Sequence, residues 1–271
     1  MNPNQALWEK GDFTRLARTM RRSGERFVAS LGITPGMQVL DVGCGDGTTA
    51  IPEAQAGADV LGVDIARNLV DAGNRRAQEA GLANIRFEHG DACDLQGVAD
   101  KSRDLVVSVF GAMFAPKPFD VARQLVRVTR PGGRIVMGNW IPNDPTLVAQ
   151  VLKISAAYTP PPPEGFVSPM LWGVEAQVVE RFVEAGVPAS AVACTRETFT
   201  FEFDGPPAGF LDLFRLWYGP TMNAFEAAEK AGRATQLQGE LLALFEAQNT
   251  SGSPSRTVIS PNFMRVTVTL P

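Results

Sequence analysis

The chain has few of the residues that build disulfides and metal sites. Its 271 residues include one histidine, two tyrosines and three cysteines. Cys44, Cys93 and Cys194 lie far apart, so they form neither a disulfide framework nor a CxxC zinc pattern, and no metal is predicted. A reducing, cytoplasmic location is the economical expectation.

Long apolar runs and an excess of basic charge are also missing. No stretch approaches the ~18 consecutive apolar residues of a membrane span, and the first residues form no apolar signal-peptide core. The formal net charge is −4, whereas nucleic-acid binding needs a clustered basic surface. Neither a membrane span nor a nucleic-acid partner is therefore expected, and the oligomeric state has no signature in the sequence.

What is present is an ordinary globular composition with a regular alternation of strands and helices. Hydrophobic residues make up 45% of the chain and charged residues 20%, which is typical of a folded protein. Apolar strands alternate with helices, which predicts a parallel sheet covered on both faces. The strands are predicted at 39–42, 60–63, 85–88, 105–109 and 134–138, and the helices at 48–56, 67–80 and 119–129.

Further elements are predicted before and after this core in the sequence. An amphipathic helix is expected within residues 5–31, a strand at 198–203, and a closing strand where apolar residues alternate at 264–270. Two insertions are expected to form a lid over the carboxyl edge of the sheet, where open α/β sheets bind ligands. The predicted divisions are an N-terminal helical segment (1–34), a binding core (35–140), a first lid (141–172), the core continued (173–204), a helical lid (205–255) and a closing strand (256–271).

A glycine-rich loop follows the first predicted strand. Gly43, Gly45 and Gly47 alternate there, which favours a backbone cradle for a ligand over a plain glycine turn only if further motifs support it. A carboxylate at Asp64, at the end of the second strand, suits the two hydroxyls of an adenosine ribose, as it does in nicotinamide enzymes. A dinucleotide loop reads GxGxxG, whereas here the spacing is GxGxG with two acids close by, at 41 and 46. Two acids would repel a pyrophosphate and suit a cation such as S-adenosylmethionine.

With these features the sequence resembles the class I S-adenosylmethionine-dependent methyltransferases, and most of all their small-molecule branch, which includes the ubiquinone and menaquinone biosynthesis enzymes. The resemblance implies a Rossmann-like α/β fold: a seven-stranded, mostly parallel sheet with an antiparallel last strand and helical lid insertions. It also implies S-adenosylmethionine as the methyl donor. The motifs that carry it, in order, are 39–47, Asp64, 90–92, 104–110 and 125–133.

The resemblance further implies which residues hold the cofactor. Asp41 and Asp64 have an alternative role as helix caps, Asp91 as a turn residue and Cys44 as a small buried filler. The implied contacts are Gly43, Cys44 and Gly45 at the methionine part, Asp41 near its amino group, Asp64 at the ribose, Ile65 on the adenine, Asp91 and Ala92 at the adenine edge, and Phe110 between methionine and acceptor.

The acceptor side is predicted from residue types alone. His89, the sole histidine, is the candidate base if the acceptor must lose a proton, with a structural role as the alternative. Core packing is the default explanation of the apolar stripe after residue 209. Because a lid must line the site, the stripe also suggests a hydrophobic or aromatic small-molecule acceptor, methylated at O, C or N. Two rivals stay open: a nicotinamide-dependent reductase, and a protein that binds S-adenosylmethionine for a non-methylating reaction. The acceptor candidates are Trp140, Phe210, Phe214, Trp217 and Tyr218.

Overall fold

The computed structural model describes residues 3–271 and contains a central sheet, a small second sheet and surrounding helices. The strands are β1 (Gln38–Val42), β2 (Asp59–Asp64), β3 (Ile85–His89), β4 (Arg103–Val109), β5 (Thr129–Trp140), β6 (Val192–Thr198), β7 (Phe201–Phe203), β8 (Thr257–Ile259) and β9 (Asn262–Thr269). The helices are α1 (Pro3–Glu9), α2 (Phe13–Ala17), α3 (Arg21–Ala29), α4 (Ala50–Gln55), α5 (Arg67–Glu79), α6 (Pro118–Val128), α7 (Leu147–Ala156), α8 (Glu175–Glu184), α9 (Pro207–Trp217), α10 (Gly219–Lys230) and α11 (Ala234–Gln248).

The central sheet has seven strands in the order β3-β2-β1-β4-β5-β9-β6. β9 runs antiparallel to its neighbours β5 and β6, and the other pairings are parallel. Val39, Leu40 and Val42 of β1 have no exposed surface, as expected for a strand that is covered by helices on both faces. The sheet confirms the predicted seven-stranded, mostly parallel architecture with an antiparallel last strand.

The strand order reverses at β1. From β1 the chain proceeds outward through β2 to β3, and then returns to place β4 on the other side of β1. Loops that leave the carboxyl ends of β1 and β4 therefore diverge and leave a crevice between them, which is where open α/β sheets bind ligands.

The predicted strand at 198–203 is wrong. The sheet strand is β6, which ends at Thr198, and the chain then leaves the sheet to form β7, which pairs with β8 in a separate two-stranded sheet. β6 is an edge strand with no fully buried residue, so it lacks the apolar run by which the inner strands were found. The apolar residues at 199–203 belong to the second sheet and to the packing around it.

The proline and glycines at 131–133 do not separate a helix from a strand. Helix α6 ends at Val128, and β5 begins at once with Thr129. Arg103 of β4 pairs with Thr129, but Leu105 pairs with Arg134, so these residues form a bulge inside β5. A bulge takes up extra residues that have no partners on the neighbouring strand.

The N-terminal region is three helices and a 3₁₀ turn rather than one amphipathic helix. The first break falls at Gly11, where an added Cβ would lie 2.3 Å from the backbone oxygen of Trp217. Only glycine permits so close an approach of two backbones. The N-terminal helices therefore pack against the helical insertion, with α2 on α9 and α1 on α10.

The two predicted insertions pack together. Helices α9, α10 and α11 contact one another, and α7 of the first insertion packs against α10 and α11. Phe210 and Phe245, with no exposed surface, lie in the interior of this group. Within residues 3–271, no helix is both long enough and apolar enough to cross a membrane.

Candidate active site

A cleft lies beyond the carboxyl ends of β1, β2, β4 and β5. It encloses about 1120 Å³ of empty space, part of it open to solvent. The glycine loop and the end of β2 form one half, and aromatic side chains from the N-terminal helices, the β4 and β5 ends and the insertions form the other. The cleft thus joins a polar backbone cradle to an aromatic chamber.

The glycine loop is shaped by backbone conformations that favour glycine. Gly43, Gly45 and Gly47 have φ angles of 67°, 55° and 86°, in the left-handed region. A Cβ on Gly45 would meet no atom within 4 Å, whereas one on Gly43 would lie 2.6 Å from Cα of Gly111 after β4. The loop is therefore pressed against the β4 end on one side and open on the other, as a cradle for a ligand requires.

Asp64, 8% exposed, presents its carboxylate to the cleft from the end of β2. The backbone N–H of Gly45 donates to Oδ2 at 2.8 Å, and that of Ala66 donates to Oδ1 at 2.9 Å. Burial raises the pKa of Asp64, and these two backbone hydrogen bonds act against that rise. Each oxygen can accept a further hydrogen bond, so the carboxylate suits two neighbouring hydroxyls of a ribose.

Asp91 borders the same cleft from the loop after β3. Its Oδ1 accepts a 2.8 Å hydrogen bond from the backbone N–H of Cys93, which fixes the local turn. Ile65 and Ala92 also border the cleft here. Two acids and two apolar side chains thus line this part of the cleft.

Two carboxyl groups are buried beneath the glycine loop. Asp41 and Glu53 have no exposed surface, and neither borders the cleft. Thr49 Oγ1 donates to Asp41 Oδ2, whereas Asp41 Oδ1 and both carboxyl oxygens of Glu53 have no hydrogen-bond partner within residues 3–271. Burial raises the pKa of Asp41 to about 7 and that of Glu53 well above its ordinary value. The floor of the loop is therefore a pair of carboxyls that hold protons more tightly than exposed ones.

Asp46, the second acid of the loop, is an ion-pair partner and not an isolated charge. Arg21 of α3 contacts its carboxylate and also donates to the Thr48 hydroxyl, while Arg76 Nη1 lies 3.8 Å from Asp46 Oδ1. Neither acid therefore presents an isolated negative charge to a pyrophosphate, because Asp46 is ion-paired and Asp41 is buried and does not border the cleft. The same contacts fasten the N-terminal region to the loop.

Phe110 and Trp140 form one apolar wall of the cleft. Their rings stack with centroids 3.7 Å apart and an interplanar angle of 12°. Phe110 has a φ of 66°, an uncommon conformation for a bulky residue that occurs mainly where surrounding structure enforces it. The stacked pair gives the cleft a flat, rigid apolar surface at the end of β4.

A second aromatic group closes the chamber from the opposite side. Trp8 lies 5.0 Å from Phe114 and 5.9 Å from Tyr218 between ring centroids, and Phe13 lies 6.0 Å from Trp8. Phe214 packs against Tyr218 at 5.6 Å. The N-terminal helices therefore complete the chamber together with the helical insertion.

Four of the residues singled out from the sequence do not border the cleft. Asp41 lies under the loop; His89 is exposed at the end of β3; Phe210 is buried within the insertion; and Trp217 lies under the guanidinium of Arg15, 5.2 Å from its ring centroid. The others do border it: Gly43, Cys44, Gly45, Asp64, Ile65, Asp91, Ala92, Phe110, Trp140, Phe214 and Tyr218.

Sequence reasoning missed the contribution of the N-terminal helices. Their apolar spacing was visible and predicted a buried face, but nothing in the spacing showed that this face would cover the cleft. The residues concerned are Asn4, Trp8, Phe13, Leu16 and Met20.

Comparison with known proteins places this architecture in a family. Residues 39–133 match a family model described as a methyltransferase domain. An uncharacterized protein of Mycobacterium tuberculosis is 31% identical over 89% of this chain and 86% of its own length. Demethylmenaquinone methyltransferase of Renibacterium salmoninarum is 37% identical over 44% of this chain and 48% of that enzyme.

Among solved structures, the YcgJ protein of Bacillus subtilis superimposes with a TM-score of 0.59 at 19% identity, covering 92% of this chain and 99% of that one. The matched domain and the fold together define an enzyme that uses S-adenosylmethionine. The chain belongs to the class I S-adenosylmethionine-dependent methyltransferases. The comparisons give no support to the nicotinamide-dependent reductase.

Proposed function

We propose that the enzyme methylates a hydrophobic or aromatic small molecule, held in the aromatic chamber beside the glycine loop. The observation that carries the proposal is the continuity of the cleft. A cradle of glycines and the Asp64 carboxylate opens directly into a chamber walled by the stacked Phe110 and Trp140.

The cradle fits the donor. The open side of Gly45 leaves room for the methionine part, and the two oxygens of Asp64, already fixed by backbone N–H groups, accept the ribose hydroxyls. Ile65 packs on the adenine, with Asp91 and Ala92 at its edge. When bound, S-adenosylmethionine supplies an activated methyl group on a positively charged sulfur. The buried Asp41 lies beneath the methionine part, on the side where the amino group is expected.

The chamber fits an apolar acceptor. Its walls are predominantly aromatic and come from four separate parts of the chain, so an acceptor within it is largely removed from water. Removal of apolar surface from water favours binding by roughly 25 cal/mol per Å². Positioning is the main task in this reaction, because the methyl group needs no further activation and must only be aligned with the attacking atom. Demethylmenaquinone methyltransferase, as its name states, acts on a small molecule, which supports the same class of acceptor here.

A panel of acceptors tests this proposal. Compounds of similar size, from bicyclic aromatics to sugars and amino acids, are incubated with the enzyme and S-adenosylmethionine, and S-adenosylhomocysteine is measured. Apolar aromatic members bearing O, C or N nucleophiles should be methylated and polar ones should not. Tight donor binding with no S-adenosylhomocysteine from any member would instead support a non-methylating reaction.

A matched pair of variants on one helix sharpens the test. Phe214 borders the cleft and Trp217, three residues later on α9, does not. Phe214→Leu should raise KM for the best acceptor several-fold, while Trp217→Leu should leave it near the wild-type value. Equal effects of the two substitutions would show that the aromatic chamber does not bind the acceptor.

A further inference from the structure

Among the residues that the structure describes, none in the acceptor half of the cleft is suited to act as a general base. The ionisable side chains that border the cleft within residues 3–271 are Cys44, Asp46, Asp64, Asp91 and Tyr218. The three aspartates lie at the cofactor half, where Asp46 is paired with arginines. Burial raises the pKa of the Cys44 thiol well above its usual value, so it remains protonated and cannot accept a proton.

Tyr218 is the ionisable group of the aromatic chamber. It links α9 to α10 and is 6% exposed. Trp8, Phe13 and Phe214 contact its ring, yet its hydroxyl forms no hydrogen bond with any residue that the structure describes. Because Tyr218 borders the cleft, this unpaired hydroxyl is available to a ligand.

The protonation state of Tyr218 decides what it can do. Burial raises the pKa of its hydroxyl above the ordinary value, so the group stays neutral and donates a hydrogen bond at physiological pH. A neutral phenol in an apolar chamber is a poor base and a good donor to an anionic oxygen.

We infer that the acceptor binds as a planar phenolate or enolate, and that Tyr218 donates a hydrogen bond to its oxygen. The inference rests on the proposed function and names the substrate class within it. An oxygen lone pair of the acceptor forms the new bond to the methyl carbon. The carbon–sulfur bond of the donor breaks and leaves its electron pair on sulfur. The acceptor has already lost its proton in water, so no base is needed.

The low polarity of the chamber favours a reaction between an anionic acceptor and a cationic donor. An anionic acceptor and a cationic donor yield two neutral products, so charge is lost as the reaction proceeds. A chamber of low polarity favours the loss of charge and disfavours its creation. Tyr218 offsets part of the cost of bringing the anion into the chamber, since hydrogen bonds to charged groups are the stronger ones.

Three bicyclic probes of nearly one shape test the inference. 4-Hydroxycoumarin is an acidic enol that is ionised at neutral pH, 7-hydroxycoumarin is a phenol whose fluorescence excitation reports its ionisation, and coumarin has no hydroxyl. The enzyme should bind and methylate the first two, and it should neither bind nor methylate the third. With S-adenosylhomocysteine bound to prevent turnover, the excitation spectrum of bound 7-hydroxycoumarin gives the pKa of the bound phenol.

Tyr218→Phe is compared with Tyr158→Phe, the other tyrosine of the chain. Tyr158 is 7% exposed, donates a 2.8 Å hydrogen bond to Glu240 and does not border the cleft. Tyr218→Phe should favour the neutral form of bound 7-hydroxycoumarin by about tenfold relative to wild type, as expected for loss of a hydrogen bond to a charged group. It should also move the rise of kcat with pH to higher pH, because kcat follows ionisations within the bound complex, whereas Tyr158→Phe should match wild type in both the bound ionisation and the pH profile.

Each outcome decides a separate question. An unchanged bound ionisation and pH profile in Tyr218→Phe, or binding of coumarin as tight as that of 4-hydroxycoumarin, would overturn the inference. So would failure of all three probes to bind while other apolar aromatics of the acceptor panel are methylated, and the proposed function would then stand. If neither the probes nor the panel are methylated, both are overturned.

Discussion

The backbone N–H of Gly45 donates a 2.8 Å hydrogen bond to Oδ2 of Asp64. This bond joins the loop after β1 to the end of β2, two segments 19 residues apart in the chain. With the Ala66 N–H on the other oxygen, it fixes the orientation of the carboxylate before any ligand arrives. Preorganisation of this kind reduces the entropy lost on binding.

Replacement of Asp64 by asparagine should weaken S-adenosylmethionine binding by about 1 to 3 kcal/mol. The amide nitrogen has only donor hydrogens, and on either side it would face a backbone N–H, so one hydrogen bond is lost and the ribose loses an acceptor. The measurement is isothermal titration of the donor into the protein. Asp59→Asn, an exposed site at the other end of β2, is the control, and an equal loss of affinity in both variants would contradict the role of Asp64.

Gly111→Ala should damage the cradle by steric overlap alone. Its φ of −84° suits any residue, but an added Cβ would lie 2.2 Å from the backbone oxygen of Gly43. Forcing extra volume into such a contact costs about 1 to 3 kcal/mol, and the loop should shift and bind the donor less tightly. Denaturant unfolding and donor titration measure the two effects. Gly97→Ala, where the added Cβ meets no atom within 4 Å, should change neither.

Glu53→Gln should alter how stability depends on pH. Burial holds the folded pKa of Glu53 well above 4.5, its value in the absence of the fold. The folded state then binds more protons than the unfolded one, so stability is fully present below pH 4.5 and is lost as pH rises toward the folded pKa. Asp41, raised from 3.8 to about 7, acts in the same direction.

The wild-type protein should therefore lose more unfolding free energy between pH 5 and pH 8 than Glu53→Gln, by roughly 1.4 kcal/mol for each unit of pKa elevation removed. Urea unfolding at several pH values measures the difference. Glu79→Gln, an exposed site on α5, should follow the wild-type curve. Parallel curves for wild type and Glu53→Gln would show that the pair beneath the loop is not linked to folding in this way.

Trp8→Ala should affect the acceptor and spare the donor. The Trp8 ring contacts Phe114 and Tyr218 at the chamber. Loss of its aromatic contacts, worth about 0.5 to 1.5 kcal/mol beyond buried area, should raise KM for an aromatic acceptor several-fold. Steady-state kinetics and donor titration separate the two. Phe166→Ala, at a side chain 55% exposed and outside the cleft, should leave both parameters unchanged.

The inner strands of the central sheet were predictable because they are buried on both faces. Runs such as Val39 to Val42 admit few alternatives, and the glycines and acids at their ends marked the edge at which a ligand binds. β6 was missed because an edge strand with a partly exposed, polar sequence resembles a loop. The bulge in β5 was missed because proline and two glycines signal a break locally, whereas pairing with β4 and β9 carries the strand through them.

The cofactor half of the site was more predictable than the acceptor half for a related reason. Backbone turns at Gly43 and Gly45 are local properties that a short sequence pattern specifies. The chamber is assembled from side chains more than 200 residues apart, such as Trp8 of α1 and Phe214 of α9. Hydrophobic spacing shows that a helix face is buried without showing what covers it. Phe214 and Phe210 have the same residue type on the same helix, yet only Phe214 borders the cleft.

Transfer of a labelled methyl group tests the central claim most directly. The enzyme is incubated with methyl-labelled S-adenosylmethionine and a cell extract containing small molecules, protein and nucleic acid, and each fraction is then separated and counted. The account predicts label in apolar aromatic compounds of low mass, in equal amount to the S-adenosylhomocysteine formed, and loss of both with Asp64→Asn at limiting donor. Label confined to protein, nucleic acid or polar metabolites would contradict it.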